Sequence, residues 1–357
     1  MCTGFVYAQS GRVQPTPTPA DKEGDTVRIV TEEVKLNVIA FDENGKFVPD
    51  VSEKDLVITE NNVLHQASSV RRIPANVLIV MDTGGELRFV KSLDQTRKVA
   101  RGIVNALKAE DSIALLQYSD KPELVAEWTT EKPDILAAIG RTKFGKRSAF
   151  VKALAMASDV LNRNSLENKH LILISDGTDS TPDRSAKAQA LRNLLAFDIT
   201  VHVISYTRLE ADDVSPRTKM LSKTPPPKAM PDEVVAGLPN GVRQTAQAPK
   251  IGPTINMDRQ LLKTLKARKA DLEVSEDQLN DLAENTNGEM IIPVTLEEMI
   301  EKSALVAKMI DSSYVVTYTP KITLSENFGE RDIVVTSKRS GLIVEARRKL
   351  ILNDARP

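Results

Sequence analysis

Two apolar runs in this chain each end on an aspartate followed by a tight turn. Val77-Leu-Ile-Val-Met81 leads into Asp82-Thr-Gly-Gly-Glu86, and Leu171-Ile-Leu-Ile-Ser175 leads into Asp176-Gly-Thr-Asp179. An unbroken apolar run bounded by turn residues is the pattern of a strand buried on both faces, as in a parallel sheet. Open sheets of that kind bind ligands at the carboxyl ends of their strands, where the strand order reverses. The two carboxylates therefore fall where a binding edge is expected.

From Pro74 to about Asp311 the chain alternates strand and helix patterns. Phe89, Leu93, Ala100, Ile103 and Leu107 form one helical face. Phe150, Leu154, Ala157 and Leu161 form another, and strands are predicted at 112–118, 171–175 and 200–206. Two late helices carry capping-box patterns, Ser275-x-x-Gln278 and Thr295-x-x-Glu298, on either side of Glu289-Met-Ile-Ile292. Repeated βα units of this length predict an α/β fold, a doubly wound and mostly parallel sheet with helices on both faces.

The flanks read differently. Glu33–Phe41 largely alternates, Asp42-Glu-Asn-Gly45 supplies a turn, and Asp55–Glu60 and Val63–Val70 bracket Asn61-Asn62. Three further strand patterns, 314–318, 331–336 and 342–346, close the chain. Neither flank has enough strands for a stable sheet alone, and together they supply the complement of a β-sandwich. Insertion of one domain into a loop of another is tolerated because domain termini lie close together. The expected organisation is a leader remnant and Pro/Thr linker over 1–25, sandwich pieces over 26–73 and 312–357, and an inserted domain over 74–311. Within the last, 207–257 is Pro-rich and weakly periodic, as in a flexible insertion or flap. The following stretch, Asp258–Leu272, reads as a basic helix with a solvated face.

With 48 basic against 49 acidic residues the net charge is -1, which gives no general attraction to nucleic acid or an anionic membrane. No apolar run is long enough to span a bilayer. Cys2 is the only cysteine. It sits in Met1-Cys-Thr-Gly-Phe-Val-Tyr-Ala8, before Gln9 and the Pro15-Thr-Pro-Thr-Pro19 spacer, a pattern like the end of a secretory signal. Export to the periplasm or outside the cell, with cleavage after Ala8, is the expectation. No disulfide framework or thiol chemistry follows from such a composition.

The order Asp82-Thr-Gly-Gly-Glu86, Glu110-Asp111-Ser-Ile-Ala-Leu-Leu-Gln-Tyr118, Ser148, Asp176 and Leu282-Ala-Glu-Asn-Thr-Asn-Gly288 resembles the von Willebrand factor A domain over about 75–310. With Val34–Glu60, Tyr314–Pro320 and Glu345-Ala-Arg-Arg348, the chain also looks like the secreted or periplasmic VWFA-related proteins of Acidobacteria. The resemblance implies a metal-ion-dependent adhesion site of pattern D-x-S-x-S, completed by a threonine and a second aspartate. Asp82 takes the first position, Gly84 and Glu86 the two serines, Ser148 the threonine and Asp176 the last aspartate. It also implies a non-enzymatic protein that binds or scaffolds a protein partner.

The departures bear on the chemistry. Mg²⁺ wants a near-octahedral array of oxygens, whereas Ca²⁺ tolerates irregular, carboxylate-rich shells. Gly84 offers no oxygen, and Glu86 replaces a neutral hydroxyl with an anion that would repel a partner's carboxylate. Lys146 or Arg147, just before Ser148, can stand in for the cation. The edge then either holds Mg²⁺ or Ca²⁺ weakly, or is a metal-free pseudo-site, or neither. Restoring serines at 84 and 86 is expected to strengthen Mg²⁺ binding.

Other features carry less. His65, His170 and His202 are too scattered for a metal set and are expected to be packed or superficial. Trp128 is expected to pack at a strand end. Thr178 and Asp179 reach the edge or, more in keeping with their type, cap the next helix. A nucleophile elbow, a Walker A loop and a zincin helix are all missing. Two alternatives remain. Asp82-Thr-Gly-Gly and Asp176-Gly-Thr also resemble the phosphate loops of actin-like ATPases, although Leu87–Lys108 reads as helix where a hairpin would be needed. A purely structural envelope role is the other.

Overall fold

The computed structural model describes residues 33–85, 92–163, 166–218, 221–222, 254–255, 259–322 and 329–352. The central sheet uses β5 (Asn76–Asp82), β6 (Ser112–Tyr118), β7 (Pro122–Thr129), β8 (Lys169–Ser175), β9 (Thr200–Ser205) and β12 (Met290–Ile291), ordered β12-β9-β8-β5-β6-β7. All its pairings are parallel except that of β7 with β6. The chain leaves β5 toward β6 and returns on the other side at β8, so the strand order reverses at β5 and β8.

These strands explain their own sequences. Val77, Ile79 and Met81 point to a core shared with α1 (Leu93–Ala106), α2 (Lys132–Arg141) and α7 (Leu296–Asp311). Leu78 and Val80 point to a second core with α3 (Phe150–Asn162), α4 (Arg184–Leu195) and α6 (Arg259–Asn285). Each strand residue loses water on one face or the other, so an alternating pattern would leave polar groups buried. Trp128 packs partly buried against the second core near the end of β7.

Two four-stranded antiparallel sheets come from the chain's two flanks. One has the order β15-β1-β13-β4 and the other β16-β14-β2-β3. Their strands are β1 (Val34–Asp42), β2 (Leu56–Glu60), β3 (Val63–His65), β4 (Ser69–Arg71), β13 (Ser313–Tyr318), β14 (Gly329–Ser337), β15 (Leu342–Ala346) and β16 (Lys349–Leu352). Both sheets contribute to one core, with Leu36, Val38, Tyr314 and Val316 from the first and Leu56, Ile58, Ile333 and Val335 from the second. Of the strands of the first flank, β1 and β4 pair with β13 and β2 pairs with β14, so three of them depend on partners from the last 45 residues. The architecture is a doubly wound α/β domain inserted in a discontinuous antiparallel sandwich. Polar contacts join the two: Asn37 Nδ2 donates to Thr200 Oγ1 at 3.0 Å, and the buried Arg347 donates to the carbonyls of Leu195 (2.7 Å) and Phe197 (2.8 Å) at the end of α4.

Several local expectations change. Thr295 does cap α7, accepting from the Glu298 amide, but Ser275 caps nothing: α6 runs unbroken through it. Leu265, Leu272 and Leu279 are buried along one stripe of α6, and no glycine or proline interrupts the helix, so the Ser275 pattern cannot start a new one. Of 207–257, the first part is helix α5 (Thr207–Thr218), anchored by buried Leu209 and Val214, and two short strands pair, β10 (Leu221–Ser222) with β11 (Thr254–Ile255). The remainder of that segment, like the leader and linker over 1–25, lies outside the described residues. Among the described residues no helix is long and apolar enough to cross a membrane.

Candidate functional site

Asp82 and Asp176 stand at the carboxyl ends of neighbouring strands, β5 and β8, where the strand order reverses, and both are fully buried. Buried Ser148 reaches the same edge from the loop before α3. Glu86 lies outside the described residues.

The turn after Asp82 is closed by backbone. Asp82 Oδ1 accepts the Gly84 amide at 3.2 Å, Gly145 N donates to the Thr83 carbonyl at 3.2 Å, and Gly85 N donates to the Gly145 carbonyl at 3.3 Å. Gly84 and Gly145 form a bridge, so the 143–148 loop lies directly on the turn. A Cβ built on Gly84 would overlap the Arg147 carbonyl oxygen and stand 2.9 Å from Ser119 Cα and Cβ. Position 84 therefore lacks a ligand oxygen, and a side chain there would require the Arg147 carbonyl to shift.

The turn after Asp176 is closed by side chains. Thr178 donates to Asp176 Oδ1 from both its amide (2.9 Å) and its hydroxyl (2.7 Å). Gly177 holds φ +66°, and a Cβ there would press on Leu279 at 2.7 Å, so glycine is required on both grounds. Arg268 Nη2 donates to Asp176 Oδ2 at 2.9 Å, and Arg268 Nη1 reaches Thr178 Oγ1. The guanidinium is 12% exposed and the carboxylate is not exposed at all. Ser148 Oγ is turned to the Thr178 carbonyl at 2.9 Å. A cation is therefore present at this edge, and it belongs to α6.

The base expected from the preceding loop does not fill that role: Lys146 and Arg147 are exposed, and the Arg147 amide is held by Asp120 Oδ1 at 3.0 Å. Nor does α6 present only a solvated face, because Arg268 turns inward. Asp179 accepts from the Val151 amide (3.1 Å) in the first turn of α3, while Asp183 caps α4 through the Ala186 amide (2.9 Å). Thr178 belongs to the edge itself. A second base lies nearby: Lys187 donates to Ser275 Oγ at 2.8 Å, and burial lowers its pKa to about 8 against the opposing pull of Asp176, Asp271 and Asp179. Beside these groups a cleft of about 270 Å³ is lined by Gly85, Ser148, Thr178, Ser180, Arg268 and Asp271, among others.

The donor set does not fit the hydroxyl-rich divalent site. Both Asp176 oxygens and the Ser148 hydroxyl are engaged within the protein, and position 84 is sterically closed. Among the described residues no group of three or more His, Cys, Asp or Glu side chains is placed to hold a metal ion. Arg268 was missed in sequence because it does not belong to the motif, whereas Thr178 is within reach of the edge in sequence but expected rather to cap the next helix. The signal for Arg268 was its place on the apolar stripe of α6, three residues after Leu265 and four before Leu272.

The histidines are less scattered than their numbering suggests. His65 is buried in the sandwich, but His170 and His202 stack on adjacent strands at 5.5 Å between ring centres. Glu289 N donates to His202 Nδ1 (3.2 Å), which makes His202 the Nε2–H tautomer, donating to His170 Nδ1 at 3.3 Å. His170 Nε2–H then donates to Asn168 Oδ1 (2.9 Å), and Asn168 Nδ2 to the Ile73 carbonyl (2.9 Å). This chain of neutral groups fastens the amino end of the sheet to the sandwich linker.

Residues 77–178, from the start of β5 to the turn that follows β8, match the von Willebrand factor type A domain family. No curated protein matches the chain. Among solved structures, the conserved hypothetical protein BatB from Bacteroides thetaiotaomicron is 13% identical, covering 66% of this chain and 98% of that one, with a TM-score of 0.38. An aerotolerance-related membrane protein from Bacteroides fragilis is 12% identical, over 66% of this chain and 98% of that one, with a TM-score of 0.39. A von Willebrand factor type A protein from Catenulispora acidiphila is 11% identical, over 86% of this chain and 76% of that one, with a TM-score of 0.43. The chain thus contains a segment of the von Willebrand factor type A domain family, residues 77–178, and that segment carries both aspartates of the edge.

Proposed function

We infer that this is a non-catalytic binding module whose adhesion-type edge works without a metal, Arg268 having taken the cation's place. Domains of this type are interaction modules, so a protein partner is the coarse expectation. The observation that carries the finer reading is the Arg268–Asp176 pair, since a guanidinium forked between a carboxylate and a hydroxyl supplies the charge and geometry an ion would otherwise supply. A second positive charge beside it would be repelled. The partner therefore meets the edge through the cleft, its rim and the exposed loops, as expected of functional loops on a rigid scaffold.

Export to the periplasm or exterior is part of the proposal and rests on the Phe5-Val-Tyr-Ala8-Gln9 and Pro/Thr sequence. Mass spectrometry of native protein should find a terminus near Gln9, and retention of Met1 or Cys2 would refute it. Against the actin-like alternative, the next described element after the β5 turn is helix α1, and the Gly84 turn is packed against the 143–148 loop. A thermal-shift experiment tests the whole reading. Mg²⁺, Ca²⁺, Mn²⁺, EDTA and MgATP should each leave Tm unchanged, and a rise with any metal or with ATP would count against it.

A further inference from the structure

We propose that the loop following α2 is the docking surface for an acidic segment of a partner protein, recognised by charge and one aromatic anchor. This deepens the proposed function and rests on it, naming the chemistry of the partner at the same edge. Arg141, Lys143, Lys146 and Arg147 fall within seven residues around Phe144, and all five side chains are exposed. Phe144 is 63% exposed. Several other bases of this domain have carboxylate partners, as in Arg97 with Asp94, Lys108 with Asp311 and Arg268 with Asp176. Among the described residues the four loop bases have no ion-pair partner.

The loop is also held in one shape. Lys143 N donates to Gln117 Oε1 (2.8 Å), Arg147 N to Asp120 Oδ1 (3.0 Å) and Ala149 N to the Ser119 carbonyl (2.9 Å), in addition to the bridge between Gly145 and Gly84. Arg97 fastens its start by donating to the carbonyls of Gly140 (3.0 Å) and Thr142 (2.6 Å). A surface ordered in advance loses little entropy when a partner arrives, so exposed bases and an exposed ring here are more useful than on a floppy tail. Aromatic and arginine side chains are also the types that anchor interfaces.

Charge decides among polyanions. The loop forms one side of the edge, and Asp179 and Asp271 line the cleft next to it. A continuous phosphate backbone crossing both would be attracted by one and repelled by the other. A peptide can set carboxylates on the loop and turn an amide or hydroxyl toward Ser148 and Ser180. The overall charge of -1 also provides no long-range field to gather nucleic acid or lipid.

The test uses the full chain and a fluorescent peptide of alternating Glu and Phe, with its Gln-for-Glu isostere, single-stranded DNA and phosphatidylserine vesicles as competing probes. The acidic peptide should bind with an affinity that falls as salt rises, and the isostere about tenfold more weakly. Lys143→Glu with Lys146→Glu should weaken the peptide about tenfold, Phe144→Ser severalfold, and the exposed sandwich control Lys54→Glu not at all. Equal binding of the isostere, indifference to the loop variants, tighter binding of DNA or vesicles, or no binding of any probe would each overturn the proposal. Repeating the titration in EDTA separates the two levels. Binding that needs a metal refutes the proposed function and this inference with it, whereas metal-independent binding that ignores the loop refutes this inference alone.

Discussion

Arg268 donates to Asp176 across 92 residues of sequence, from the middle of α6 to the end of β8. Its planar fork serves Asp176 Oδ2 and Thr178 Oγ1 together, which an ammonium on a flexible stem does less well. Arg268→Gln should therefore cost about 3 kcal/mol in urea unfolding, because it leaves a buried carboxylate without its cation. Arg268→Lys should recover only part of that loss. A Gln variant as stable as wild type would show that the pair is incidental.

Gly84→Ser should destabilise the domain by about 2 kcal/mol, since the new side chain must displace the Arg147 carbonyl. It should not create Mg²⁺ binding in calorimetry. A stable Gly84→Ser protein with gained Mg²⁺ affinity would show that the turn relaxes and that the site is latent.

The histidine pair predicts a pH response. Burial lowers the His202 pKa to about 4, and burial together with the neighbouring ring lowers His170 well below its usual value. A folded-state pKa below the unfolded one means that the unfolded chain takes up protons first. The contribution is neutral above about pH 6.5, and stability falls as pH drops from there toward 4. For His202 alone the loss is about 3 kcal/mol by linkage. Nitrogen NMR should show both rings as Nε2–H tautomers at pH 7 and uncharged at pH 5. Titration of either ring between pH 6 and 7 would contradict the buried chain.

The buried strands are legible in sequence because burial on both faces forces an unbroken apolar run, as at Val77–Met81. Asp82 and Asp176 are legible as an edge because parallel strands present their carboxyl ends together. The cation is less so. Arg268 sits in a stretch with Lys263, Lys266 and Lys269, and composition favours a solvated face. Only its register with Leu265 and Leu272 sets it apart. The closed space at Gly84 leaves no local trace at all, because the overlapping Arg147 carbonyl belongs to a loop about sixty residues away, brought there by tertiary packing alone. His170 and His202 illustrate the same limit: only strand order makes them neighbours.

The split sandwich has its own internal pair, Arg331 of β14 with Glu60 of β2, 2% and 4% exposed. Arg331→Leu should cost about 3–5 kcal/mol by stranding Glu60, and adding Glu60→Leu should restore much of it. Deleting 315–357 should give insoluble protein, since β1 and β2 lose their partners. A soluble, monodisperse truncation would argue against a sandwich shared by both flanks.

The most direct test of a metal-free, arginine-closed edge is isothermal calorimetry of Mg²⁺, Ca²⁺ and Mn²⁺ into the purified full chain, alongside Arg268→Gln and Asp82→Asn. The wild-type protein should give no saturable heat with any of the three ions, and circular dichroism should confirm that it is folded. Saturable binding by wild type that Asp82→Asn abolishes would contradict the account, because the ion would then be sharing the edge with Arg268.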